Sequence, residues 1–103
     1  MSERFDLSGL CAVEISGESC ANCLSLMPIL TAICQARKDI RVVHIEADET
    51  TVDFMQKYEV RQVPTILLTD NGEVFARAVG FQPEEILELW IDAKIEEHKK
   101  QSK

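Results

Sequence analysis

Two cysteines three residues apart, Cys20-Ala21-Asn22-Cys23, are the first feature of this chain with reactive chemistry in it. A thiolate attacks a disulfide sulfur to give a mixed disulfide, and a second thiol close by resolves it. Apolar residues at 23, 26, 27, 30, 33 and 34 form a helical stripe that opens at the pair. A helix start offers unpaired amides and the positive end of the backbone dipole, so Cys20 is predicted to hold its thiolate near neutral pH. One helical turn brings Cys23 within bridging distance, and its place on the inward stripe makes it the buried resolving partner. Taken alone, the spacing fits inert thiols or half of a zinc site equally well.

Two further cysteines bear on that choice. Cys34 lies eleven residues past Cys23, ~16 Å along a helix. Cys11 falls at the far end of the preceding strand, so both are expected roughly 15–20 Å from the pair. A four-sulfur zinc site needs every sulfur at about 2.3 Å from one ion, and this spacing excludes it. Cys11 and Cys34 themselves read either as two buried small hydrophobes or as a second disulfide, since the helix returns antiparallel to the strand.

The elements that must position the pair follow from periodicity. Residues 11–16 form a mostly apolar run suited to a buried strand, interrupted by Glu14, and Gly17-Glu18-Ser19 turns the chain into the helix. Pro28 inside that helix removes one hydrogen bond and predicts a kink. Ile40 to Ala47 alternates as a second strand, and Thr50 or Thr51 is predicted to cap a short helix through Tyr58. Residues 65–69 and 73–79 are β-rich, with Asp70-Asn71-Gly72 as their hairpin turn. Pro83-Glu84-Glu85 opens the last helix. The order β-α-β-α-β-β-α implies a mixed sheet covered on both faces.

The chain has 103 residues, enough for one domain, 1–103, with about 97–103 expected to fray and His98 in that solvated tail. Eleven Lys and Arg against eighteen Asp and Glu give a net charge of −7, which disfavours nucleic acid. No apolar run approaches the ~18 residues of a membrane span. The start, Met1-Ser2-Glu3-Arg4-Phe5-Asp6, lacks the plan of a secretory signal, and four cysteines are too sparse for a stapled secreted scaffold. A reducing, cytoplasmic setting and a monomer are expected.

These features together resemble the thioredoxin family from about residue 10 to 95. The resemblance rests on Cys20-Ala21-Asn22-Cys23 after a strand, Pro28 five residues beyond, Arg61-Gln62-Val63-Pro64-Thr65 before a strand, the Asp70-Asn71-Gly72-Glu73 hairpin, and Gly80 after the last strand. It implies a thioredoxin-like α/β fold and a thiol–disulfide oxidoreductase that reduces protein disulfides, is recharged by a thioredoxin-reductase-like donor, and needs no cofactor beyond the cysteine couple. Pro64 matches the family's cis-proline beside the pair. Val63 would offer its backbone to an extended substrate segment, with Ser19, Ala21, Asn22, Gly80 and Phe81 completing the substrate surface. Glu14 stands where the family keeps a buried acid. Burial disfavours a charged carboxyl, which suits proton exchange with Cys23, although an edge position would leave it solvated. His44 alternates onto one face with Val42 and Glu46, where the family often has a lysine; it reads as a proton relay to Glu14, or as a surface or core histidine.

The sequence also departs from the family. Ser19 replaces the usual tryptophan before the first cysteine, Ala21-Asn22 replaces Gly-Pro, and Gln62 stands where a small residue is common. Only nineteen residues precede Cys20, so four strands are expected in place of five. Loss of the aromatic leaves a non-catalytic binding module as the alternative function, with a metal-binding CxxC protein behind it.

Overall fold

The computed structural model describes residues 5–101. Strand β1 (Leu10–Ser16) leads into helix α1 (Ala21–Arg37), strand β2 (Arg41–Glu46), a 3-10 turn (Glu49–Thr51) and helix α2 (Val52–Lys57). Strands β3 (Thr65–Asp70) and β4 (Glu73–Val79) form the hairpin, and helix α3 (Glu84–Gln101) closes the chain. The sheet runs β2-β1-β3-β4, with β1 parallel to β2 and antiparallel to β3, and β3 antiparallel to β4. This is the expected four-stranded mixed sheet.

Alternation along β1 divides the core. Ala12, with Ile66 and Leu68 of β3, faces Leu26, Leu30 and Ile33 of α1 and Leu87, Ile91 and Ile95 of α3. Cys11, Val13 and Ile15 point the other way, toward Leu7, Ile45, Tyr58 and Leu67, with Phe54 and Met55 of α2 against them. Every residue of β1 from Cys11 to Ser16 is buried, as expected of a strand flanked on both sides.

The same division corrects the cysteine expectation. Cys34 lies in the cluster under α1 and Cys11 in the cluster on the opposite face, so the sheet stands between them. Both are free and buried, and no second disulfide forms among the described residues. Two local expectations also differ. Asp48, not a threonine, caps the 3-10 turn by accepting from the Thr50 amide at 2.8 Å, while Thr51 bonds back to the Asp48 amide. Helix α1 carries Pro28 within its span, as the sequence placed it. Helix α3 continues through the 97–101 stretch expected to fray, because His98 is not solvated tail: its ring stacks on Phe75 at 4.0 Å and Nε2 lies 2.8 Å from Asp70 Oδ2. Residues 102 and 103 lie outside the described residues.

Candidate active site

The site forms where β1 ends and α1 begins. Cys20 has extended backbone angles and occupies the N-cap of α1, one residue before the helix proper. Its sulfur accepts from the Cys23 amide at 3.2 Å, the bond a serine or aspartate makes at most helix starts. The two sulfurs are joined, with the Cα atoms 5.3 Å apart. Cys20 is part-exposed, whereas Cys23 is 2% exposed and belongs to the buried stripe of α1. One sulfur can therefore be reached from outside and the other cannot.

The loop before β3 completes the approach to the pair. The Val63–Pro64 bond is cis and Pro64 is buried. Gly80, at φ +93°, donates its amide to the Pro64 carbonyl at 2.8 Å, while Thr65 Oγ1 donates to the Gln62 carbonyl at 2.7 Å. Gly17 packs so closely on Val63 that a Cβ there would lie 2.9 Å from its Cγ2. That contact seats the proline loop beside the turn leading to Cys20. Val63 and Phe81 remain 37% exposed, and Ser19, Ala21 and Asn22 are exposed around Cys20.

Beneath α1, Glu14 has no exposed surface, since β1 lies between β2 and β3. It is not an edge residue. Its Oε2 accepts from Ser16 Oγ at 2.5 Å, and its Oε1 lies 2.7 Å from Nδ1 of His44, its direct partner in the parallel register. His44 Nε2 in turn lies 2.9 Å from Glu46 Oε2. Burial works against the charged imidazole, but the hydrogen bonds and charges of Glu14 and Glu46 outweigh it and hold the His44 pKa above its ordinary value. With both ring nitrogens donating to carboxylates, the imidazolium is the form this geometry favours. Of the residues hydrogen-bonded to Glu14 and His44, Ser16 and Glu46 had no role in the sequence reading. Strand alternation carried the signal, because each sits two residues from Glu14 or His44 on the same face.

Residues 6–93 match the family model described as Thioredoxin. A thioredoxin of Chlamydia pneumoniae is 35% identical over 89 residues, covering 84% of this chain and 86% of that protein. One from Bacillus subtilis is 36% identical over 74 residues, 71% of this chain and 70% of its own. Among solved structures, the oxidised form of mitochondrial thioredoxin 3 from Saccharomyces cerevisiae superposes with a TM-score of 0.70 at 25% identity, covering 84% of this chain and 81% of that one. A mutant thioredoxin from Halobacterium salinarum gives 0.73 at 28% identity, covering 84% and 75%.

Proposed function

The chain belongs to the thioredoxin family and is a thiol–disulfide oxidoreductase of the protein-disulfide reductase type; from that premise we propose how its own residues divide the work. The observation that carries the proposal is the position of Cys20 Sγ on the helix N-cap, accepting from the Cys23 amide. In the reduced protein the same amide and the helix dipole stabilise a Cys20 thiolate. This thiolate attacks one sulfur of a substrate disulfide; the other substrate sulfur leaves as a thiolate and takes a proton from water.

Cys23 must then lose its proton to attack the Cys20 side of the mixed disulfide. Glu14 accepts that proton from beneath α1, and His44 with Glu46 connects the buried carboxylate to solvent. The attack re-forms Cys20–Cys23 and releases the second substrate thiol, so two electrons pass from the dithiol to the substrate. Pro64 holds its loop against the pair, and the Val63 backbone, with Ser19, Ala21, Asn22, Gly80 and Phe81 around it, receives an extended substrate segment. Disulfide-containing proteins are the substrates, a thioredoxin-reductase-like protein supplies the electrons, the couple itself suffices as redox group, and the protein works as a cytoplasmic monomer.

Insulin reduction with dithiothreitol as electron source tests the roles. Cys20→Ser is expected to abolish turnover. Cys23→Ser is expected to accumulate a mixed disulfide through Cys20, visible by mass spectrometry. Equal rates for wild type and Cys20→Ser would refute the assignment.

A further inference from the structure

Beside the disulfide lies a cleft that attack on an exposed protein disulfide does not require. It opens between the ends of β1 and β2 and the first turns of α1, measures about 520 Å³, and has Cys20 in its wall. That size lies in the range of small-molecule sites. Leu24 and Met27 give it an apolar side along α1; Ser16, Ser19, His44 and Glu46 give it a polar side. The two serines leave the space open, since a bulky side chain at either position would fill it.

Counting Glu14 behind it, the cleft has two acidic groups to one basic group. Among the described residues its lining contains no lysine or arginine, and its charged groups are the His44 imidazolium and the carboxylate of Glu46, with Glu14 behind them. One imidazolium between two carboxylates leaves a net negative charge. That charge is presented by Glu46, whose side chain is 52% exposed, while Glu14 has no surface. A ligand entering here meets a reactive sulfur, an apolar side and then an anion.

We propose that this cleft takes low-molecular-weight disulfides bearing an ammonium group a few bonds from sulfur, and presents them to Cys20. The proposal rests on Cys20 being the attacking sulfur. The Cys20 thiolate displaces one aminothiol as its thiolate, which is protonated by water. Cys23, after losing its proton, then displaces the second aminothiol and re-forms the Cys20–Cys23 bond. The ammonium stays near Glu46, and the short carbon chain lies along Leu24 and Met27.

Cystamine, a bis-ammonium disulfide, and 3,3′-dithiodipropionate, a bis-carboxylate, are the probes. Each is reacted with pre-reduced protein at physiological ionic strength, and each rate is divided by that of the same disulfide with dithiothreitol to remove intrinsic reactivity. A screened carboxylate that attracts one probe and repels the other predicts a normalised preference for cystamine of about fivefold. Glu46→Gln is expected to bring the ratio near one. Glu88→Gln, an exposed change on α3, is expected to leave it unchanged. Ser19→Trp is expected to lower the cystamine rate about threefold or more relative to its own rate with insulin, by filling the cleft. A wild-type ratio near one, a ratio unmoved by Glu46→Gln, or an equal fall with Glu88→Gln overturns the proposal. Failure of wild type to reduce insulin or either probe would instead overturn the role of Cys20.

Discussion

Replacing Glu14 by glutamine keeps the shape of the most buried acidic group among the described residues and removes its charge. Glutamine keeps one acceptor oxygen, which can still take the His44 Nδ1–H, and turns an NH2 toward Ser16, whose hydroxyl oxygen can accept in place of donating, so the main loss is the charge-assisted part of those bonds. Hydrogen bonds to charged groups contribute ~1.5–3 kcal/mol against ~0.5–1.5 for neutral ones, a difference of about 1 kcal/mol. The His44 side chain is 38% exposed, so water screens part of even that. Opposing it is the cost of keeping a carboxylate wholly out of water, which is offset only while His44 is charged.

The sign with pH follows from His44. Its folded pKa is raised, so its contribution is fully present below the unfolded value, about 6.5, and is lost as pH rises through the folded value. Wild type therefore gains most from Glu14 near pH ~6 and least near pH ~9. Glu14→Gln is expected to be no more stable than wild type at the acid end and to become the more stable protein at the alkaline end, a relative change of about 1 kcal/mol. Urea unfolding of both proteins, oxidised throughout, at a series of pH values in that window measures the gap. A gap that is constant, or that widens in favour of wild type as pH rises, would refute the coupling between Glu14 and a charged His44.

Two further outcomes are expected. In the reduced native protein near pH ~8, iodoacetamide is expected to label Cys20 within minutes and to spare Cys11 and Cys34. Burial raises the Cys11 thiol pKa and pushes that of Cys34 up to about 11. Peptide mass mapping checks this, and native labelling of Cys34 would contradict it. His98→Ala removes the Phe75 stack and the Asp70 bond, and is expected to cost about 1 kcal/mol. Amide exchange should accelerate in the last turn of α3 while insulin reduction holds, and unchanged exchange there would refute the clasp.

The parts of the site that were legible in the sequence are those set by local pattern. The helical stripe identified Cys23 as buried and Cys20 as the first residue of the turn, and the alternation at 40–47 placed His44 on one strand face with Val42 and Glu46, while its nearness to Glu14 came only from the family resemblance. The hairpin was marked by Asp70-Asn71-Gly72 because such turns need residues that tolerate positive φ, and Asn71 and Gly72 adopt it. What escaped depends on contacts distant in sequence. The face of the sheet on which Cys11 lies is settled by its register against Thr69 and Arg41, which no local pattern records. His98 looked solvated because residues 97–103 lose apolar character, whereas its own partners come from the hairpin. The closeness of Gly17 to Val63 joins segments 46 residues apart by simple subtraction of their positions.

Four cysteines permit three complete pairings. Cys11 and Cys34 lie buried on opposite faces of the sheet, so the complete pairing that would join them while keeping Cys20–Cys23 is closed to the folded molecule, and Cys20–Cys23 stands as the crosslink among the described residues.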